Sequence, residues 1–204
     1  MKILKYISSI ALGFALVFFA QSCRDTKASP LPTFETAVTT FADYKAAADS
    51  FAISDISKVT PFTYRWVSVD GQNTATKIEF FVTLYEGYKD KEGNNRTAVH
   101  GTKSFKILEG SAVPANRVYT DVTLSGTAIF DFFKTATFDY EKGDGNKPVF
   151  SQNGRTATKQ FTKNDYADVT WFVTTADGRK FTEWSVAVCN EVVGSNCKLR
   201  FKFK

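Results

Sequence analysis

The sequence predicts a mainly β protein in which the strands form an antiparallel β-sandwich with one short helix. Several short segments alternate between apolar and polar residues with a period of two, as strands with one packed face do. Asp-Gly and Asn-Gly pairs lie between these segments and supply turn conformations. Helical spacing is confined to short stretches. Many short strands separated by turns favour a sandwich.

The beginning of the predicted domain, Thr36–Asp55, has features of both a helix and a strand. Apolar residues recur there at intervals of three and four positions, which suits an amphipathic helix. The first residues, TAVTTF, are rich in β-branched side chains, which suits a strand. We expect a strand first and loose or helical turns after it.

The next segment, from Ile56, has apolar residues at every second position. Asp70-Gly71 separates two such runs, and a Gly after Asp supplies the positive φ that a hairpin turn needs. Turn residues at Glu92–Asn95 come before another strand near Thr102–Leu108. The alternating residues are Phe62, Tyr64 and Trp66 in the first run, and Ile78, Phe80, Val82 and Leu84 in the second.

The middle of the chain contains the predicted helix. Val118–Leu124 (VYTDVTL) has the composition of a strand. Ser125–Lys134 (SGTAIFDFFK) then places apolar residues at helical spacing, with Ser125 or Thr127 available as a cap. Glu141–Pro148 (EKGDGNKP) is predicted to be a loop.

The last part of the domain is predicted to form a hairpin and a final strand. The stretch VTWFVTTADGRKFTEW (Val169–Trp184) has two extended arms around Asp177-Gly178. Trp171 and Phe172 point to opposite faces of the first arm, and we assign Trp171 to the core. The ending KLRFKFK alternates apolar with basic residues, which predicts a strand with a charged outer face.

The N-terminus has the pattern of a secretory signal. Lys2 and Lys5 precede an apolar run over Ile7–Phe19, which is too short to span a bilayer. The end of this segment resembles a bacterial lipoprotein signal, in which a small residue, here Ser22, precedes a Cys that becomes the lipidated N-terminus, here Cys23. Ordinary cleavage that leaves Cys23 as a spare thiol is the alternative.

These boundaries divide the chain into a signal peptide (residues 1–22), a polar tether (residues 23–33) and a β-sandwich domain (residues 34–204). A lipoprotein Cys carries two or three acyl chains. One acyl chain holds a protein at a membrane only marginally, but two or three chains together hold it firmly, so we expect this anchor to be durable. The basic residues are scattered over the chain and form no long run, so we expect no nucleic-acid partner.

If Cys23 carries lipid, Cys189 and Cys197 remain as a pair. A Gly-Ser-Asn turn lies between them, and an exported location permits a disulfide. The loop is short, so the bridge would contribute at most ~3 kcal/mol. A metal site is the alternative, but no further His or Cys cluster completes a ligand set. We expect neither a metal nor a cofactor.

The order of these segments resembles a group of Bacteroidota surface lipoproteins that occur beside SusC/SusD-type glycan-uptake systems. The matching stretches are FETAVTTF, VSVDGQNTATKIEFFVTLYEGY, VTLSGTAIFDFF and WFVTTADGRKF, followed by a late Cys, Cys189. The resemblance covers most of Phe34–Cys189. It implies an immunoglobulin-like sandwich at the cell surface, with no established activity. The chain departs from the pattern in Cys197 and in its ending KLRFKFK.

The sequence offers little for catalysis. The single His, His100, would need a nearby Ser to act as a base, and its polar surroundings predict a solvated loop instead. Nucleophile-elbow, Walker and His-Glu-x-x-His motifs do not occur. Acidic residues in surface loops are a simpler explanation than a glycosidase pair or a calcium site for four neighbouring carboxylates: Asp131, Asp139, Glu141 and Asp144. We expect no enzymatic activity.

Aromatic residues are the remaining candidates for a binding site, because exposed aromatic patches often mark binding surfaces. Core packing accounts for most of them, but Trp184 and Tyr88 lie near turns and are our candidates for ligand contacts. The sequence therefore predicts a non-catalytic protein, lipid-anchored in the outer membrane at the cell surface. It would bind a polysaccharide or, alternatively, serve as a structural subunit of an outer-membrane transport complex.

Overall fold

A computed structural model of the chain describes residues 37–152, 154–156, 159–182 and 194–204, and they form eleven β-strands and one α-helix. The first strand, β1, is Val38–Tyr44. A 3₁₀ turn, Lys45–Ala47, and a two-residue strand β2, Ser50–Phe51, follow it. The expectation of a strand followed by helical turns in this segment is confirmed.

Three strands follow, and two of them are long. β3 is Val59–Ser68, β4 is Ala75–Lys89 and β5 is Asn95–Glu109. The period-two alternation predicted for β3 and β4 is confirmed, because their inward apolar residues are buried. β5 begins before Thr102, and it pairs with β4 in a long hairpin.

The predicted helix lies between short strands. β6 is Thr120–Ser125 and the helix α1 is Gly126–Phe133. The Ser125 hydroxyl accepts a hydrogen bond from the backbone N–H of Ala128 at 3.2 Å, so Ser125 is the N-cap. β7, Thr137–Phe138, and β8, Lys147–Pro148, form a separate two-stranded pair.

The last three strands are β9, Tyr166–Thr175, β10, Lys180–Phe181, and β11, Lys198–Phe203. β9 and β10 form the predicted hairpin, in which Gly178 has the positive φ of 83° that the turn requires. Trp184, predicted to continue its second arm, lies outside the described residues. The alternation predicted for β11 is confirmed.

The strands form two packed sheets, so the predicted mainly β, antiparallel sandwich with one short helix is confirmed. The smaller sheet has the order β1-β3-β6, and the larger has the order β2-β11-β9-β4-β5, with β10 also paired with β9. All strand pairs of the described residues are antiparallel except β11 with β2.

The core between the sheets is rich in aromatic side chains, as the sequence predicted. Trp171 is 1% exposed, and its Nε1 donates across the core to the Thr40 hydroxyl at 2.9 Å. Its ring meets the edge of Tyr64 at 5.4 Å between centroids. The largest fully buried side chains are Trp171, Tyr64, Phe51, Phe62, Phe80, Phe133, Phe161, Phe201 and Phe203.

The prediction of a hairpin at Asp70-Gly71 is wrong. The chain turns there, and Gly71 has a φ of 73°. However, β3 pairs with β1 and β6, whereas β4 pairs with β5 and β9, so this turn carries the chain from one sheet to the other. β1 and β6 occupy the two edges of β3, and Asn116 exchanges hydrogen bonds with the backbone of Ser68 at its end, so no edge of β3 is left for β4.

Candidate functional site

Three of the predicted site residues, Cys23, Trp184 and Cys189, lie outside the described residues. Cys197 is half-buried and directly precedes β11. The lipid anchor at Cys23, the ligand contact of Trp184 and the Cys189–Cys197 disulfide therefore stay predictions.

Tyr88, the fifth predicted site residue, is half-buried near the end of β4. Its hydroxyl donates a hydrogen bond to the backbone carbonyl oxygen of Tyr140 at 2.9 Å, and the two rings meet edge-to-face at 5.0 Å. Burial raises the pKa of the Tyr88 hydroxyl. Only part of this side chain remains open to a ligand, and its role in binding stays a prediction.

A group of charged side chains is buried where β4 leaves the apolar core. The inward positions of β4 are apolar from Ile78 to Leu84, but the next one is Glu86, which is 0% exposed. Its Oε2 accepts hydrogen bonds from His100 Nε2 at 2.7 Å and from the Tyr140 hydroxyl. Because an ionised carboxylate only accepts hydrogen bonds, His100 must carry a proton on Nε2.

Arg155 joins Glu86 to a second buried carboxylate, Asp165. Its Nε lies 2.9 Å from Glu86 Oε1, in an ion pair outside hydrogen-bond geometry. Its terminal nitrogens pair with both oxygens of Asp165, at 2.6 and 2.8 Å. A guanidinium placed between two carboxylates offsets the large cost of burying each charge alone.

The interactions within this group determine the protonation of its members. Burial raises the pKa of Glu86, but hydrogen bonds from His100 and Tyr140 and the charge of Arg155 outweigh burial, and the pKa lies below the ordinary 4.5. Burial and the hydrogen bond to Glu86 raise the pKa of Tyr140, so its hydroxyl stays a donor. For Arg155, burial lowers the pKa, but the hydrogen bond to Asp165 and the charge of this carboxylate outweigh burial. The pKa is therefore raised overall, and the guanidinium stays charged.

We name residues 137–165, which are described except for 153, 157 and 158, the cover segment, because they supply Tyr140, Arg155 and Asp165 to this group. Gly87 lets the cover segment approach β4. A Cβ at this position would lie 2.5 Å from Asn164 Cβ, and the Gly87 N–H donates to Asp165 at 2.9 Å. Any larger residue would push the cover segment away.

The buried group is closed to solvent. The side chains of Glu86, Arg155 and Asp165 are 0% exposed, and that of His100 is 1% exposed. The prediction that His100 lies in a solvated loop is therefore wrong, because the ring lies on β5 beneath Phe138 and Tyr140 of the cover segment. The geometry assigns this group to holding the cover segment in place.

The acidic residues near the helix and the following loop have structural contacts. Asp131 pairs with Lys134 at 2.7 Å, and Asp144 pairs with Lys91. Asp139 accepts backbone hydrogen bonds from Gly143 and Glu141 at 2.7 and 3.3 Å. Within the described ranges, no group of three or more His, Cys, Asp or Glu residues is placed to hold a metal ion.

The outer face of the larger sheet carries two aromatic rows that run across the strands. In the tyrosine row, Arg200 lies 4.0 Å from the centroid of Tyr166, which stacks on Tyr85 at 4.5 Å with ring planes 11° apart. In the phenylalanine row, the Lys180 ammonium lies 5.0 Å from the ring of Phe172, which packs against Phe81 at 4.6 Å. The four rings are half-buried, so part of each remains accessible.

Two carboxylates accompany these rows, and each is shared by two cations. Asp168 binds Arg200 through two hydrogen bonds, at 2.7 and 2.9 Å, and lies 3.5 Å from Lys198. Glu79 lies 3.2 Å from both Lys77 and Lys180. The outer face therefore combines aromatic rings with cations in local excess over carboxylates.

Lys204 lines two open clefts, which have volumes of about 560 and 390 Å³. Their described linings contain lysines, apolar residues and hydroxyl groups but no His or carboxylate. They therefore lack the groups that most often perform acid–base catalysis. The lining lysines besides Lys204 are Lys159 and Lys163 in the larger cleft, and Lys45 and Lys58 in the smaller one.

The sequence interpretation missed both the buried group and the outer face. One signal for the buried group was present, because Glu86 continues the inward period of β4 with a carboxylate. The partners of Glu86 come from distant parts of the chain, so no local pattern identifies them. The outer face requires the register of β4, β9 and β11, which brings Tyr85 opposite Tyr166.

Among the residues that the structure describes, no helix has both the length and the apolar character needed to cross a membrane. No protein-family model matches the chain, and no curated protein matches it either. The function must therefore be inferred from the side chains themselves.

Proposed function

We propose that the protein is a non-catalytic binding component of the cell envelope, held there by lipid on Cys23, and that it captures glycan on the outer face of its larger sheet. The observation that carries this proposal is the pair of aromatic rows on that face. Interiors of sandwiches bury such rings, whereas these four keep contact with solvent. Aromatic patches left at a surface often mark binding sites.

Tyr85 offers the best position for a sugar ring. Tyr166 covers one face of its ring, and the parallel stacking directs the other face toward β5. Val99 lies opposite Tyr85 on β5 and is 48% exposed. The apolar C–H face of a sugar would pack against Tyr85 and Val99, while the hydroxyl groups of both partners form hydrogen bonds.

The location of the protein is part of the same proposal. A signal segment that ends in Ser22-Cys23 and a polar tether would leave the domain attached to the membrane by acyl chains. The resemblance to Bacteroidota surface lipoproteins adds glycan-uptake systems as neighbours. Capture of a glycan close to such a system is a role that requires no catalytic group.

Replacement of Tyr85 by Ala tests the proposed surface. We expect Tyr85→Ala to weaken retention on polysaccharide gels about fivefold, since one stacked ring contributes on the order of 1 kcal/mol. Tyr119→Ala is the matched control, because Tyr119 is 48% exposed, lies next to β6 of the smaller sheet and also has an Arg over its ring, Arg65 at 4.6 Å. The proposal is refuted if the wild type, Tyr85→Ala and Tyr88→Ala all migrate in gels that contain glycan as they do in gels without it, across a broad panel of glycans.

A second candidate function, a structural subunit of an outer-membrane transport complex, is favoured by β5. Within the described part of the chain this fifteen-residue strand pairs only with β4, and Val99 and Ile107 on it are 48% and 50% exposed. An edge strand of this length is suited to pairing with a strand of a partner. Co-purification with an outer-membrane protein in the absence of glycan binding would favour this function.

A further inference from the structure

The outward side chains of β11 form a row of cations beside the tyrosine row. Lys198, Arg200 and Lys202 occupy alternate positions, and all three are exposed. Two strand positions correspond to about 7 Å, so the three charges extend over about 13 Å. The register places Lys202 opposite Tyr166 and Arg200 opposite Asp168 on β9. The cations and the two tyrosine rings therefore form one continuous strip.

This strip keeps an excess of positive charge on its solvent side. Asp168 is paired with both Arg200 and Lys198, and its side chain is only 4% exposed. Asp49, the carboxylate near the end of β11, is paired with Lys204 at 2.8 Å. A ligand in solvent would therefore meet the cations and only a small part of the negative charge.

The phenylalanine row has a more balanced charge. Lys77 and Lys180 share Glu79, and the register places a further carboxylate, Glu109, opposite Lys77 on β5. Both rows supply aromatic rings, but only the tyrosine row lies against a row of three cations. The preferred ligand should therefore carry negative charge where it meets β11.

On the basis of the proposed glycan-binding function, we propose that the ligand is an acidic polysaccharide, a linear chain that bears carboxylate or sulfate groups. Its sugar rings pack against Tyr85 and its anionic groups pair with Lys198, Arg200 and Lys202. Charge complementarity supplies specificity and a fast association rate, and it makes binding dependent on ionic strength. An acidic protein would satisfy the cations but would not require the tyrosine ring in the same way.

The test compares three polymers with the full-length mature protein in affinity electrophoresis. Polygalacturonate is the acidic polysaccharide, its methyl-esterified form is the neutral match, and polyglutamate supplies similar charge without sugar. We expect polygalacturonate to bind about tenfold more tightly than the ester, since only the acidic polymer can form two or three exposed ion pairs with β11. A rise from low to physiological ionic strength is expected to remove most of this difference.

A double variant, Lys198→Gln with Lys202→Gln, removes two cations and leaves Asp168 paired with Arg200. We expect it to lose most of the preference for polygalacturonate over the ester. Lys134→Gln with Lys142→Gln is the control with the same change in net charge, because these exposed lysines lie at the end of α1 and in the loop between β7 and β8. Thermal unfolding of each variant shows whether the fold is retained.

Three other outcomes would overturn this inference. If both galacturonan forms bind equally and Tyr85→Ala weakens both, glycan binding stands but the acidic preference is wrong. If polyglutamate binds as tightly as polygalacturonate and Tyr85→Ala has no effect, the strip recognises charge on a protein instead. If no polymer binds, the acidic preference is wrong, and the broad glycan panel then decides separately whether the proposed glycan capture fails as well.

Discussion

The carboxylate of Glu86 takes part in three interactions inside the protein. His100, Tyr140 and Arg155 surround it, and none of its area reaches solvent. A buried group of charges stabilises the fold only while every member has its partners, because removal of one partner leaves a buried charge without compensation. The same contacts keep the side chain of His100, the only His of the chain, almost fully buried against the cover segment.

We expect Glu86→Gln to lower the free energy of unfolding by about 3 kcal/mol at neutral pH, since the amide cannot compensate Arg155. The pKa of Glu86 is lowered from 4.5 in the folded state, so its ionised form stabilises the protein above that pH. This contribution is lost as the pH falls through the folded-state pKa. The difference between wild type and variant should therefore shrink on acidification below 4.5.

Urea denaturation across this pH range measures that difference. Glu92→Gln, at an exposed position of the β4–β5 turn, serves as the control and should change stability little at any pH. A loss below 1 kcal/mol for Glu86→Gln at neutral pH, or a difference that stays constant with pH, would contradict the assigned role.

The single α-helix shows how one local element is specified by its first residues. Ser125 ends β6 and caps α1, and the Thr127 N–H donates to the carbonyl oxygen of Ile56 at 2.9 Å. Gly126 is needed because a Cβ there would lie 2.9 Å from Ile56 Cβ. The cap belongs to the local sequence, which offered Ser125 or Thr127 and so predicted the helix to within two residues of its start, whereas the need for Gly126 comes from the distant Ile56.

Replacement of the cap should have a defined cost. Ser125→Ala is expected to destabilise the protein by about 1 kcal/mol, because the Ala128 N–H loses its acceptor. Ser125→Thr retains a hydroxyl and should change stability by less than about half of that amount. Chemical denaturation of the two variants measures both values, and equal effects would show that the hydroxyl is not the cause.

Across the whole molecule, local sequence patterns predicted the strands and the helix, whereas long-range strand pairing determines how they are arranged and which side chains they bring together. The alternation of β3, β4 and β11, the cap of α1 and the β9–β10 turn all depend on residues close in sequence, and these predictions are confirmed. The pairing of β3 with β1 and β6, and the burial of His100 under the cover segment, bring together residues that are distant in sequence. The outer face likewise arises only from the register of three strands.

The most direct test of the central claim measures binding of fluorescent polygalacturonate to intact cells that express the chain. We predict that wild-type cells retain the polymer. Tyr85→Ala cells should keep the protein at the surface, as protease shaving would report, and lose most of the polymer. Cys23→Ser should release the protein from the cells. Equal retention of polymer by cells with wild type, Tyr85→Ala and no protein would contradict the account, as would a Cys23→Ser protein that stays attached.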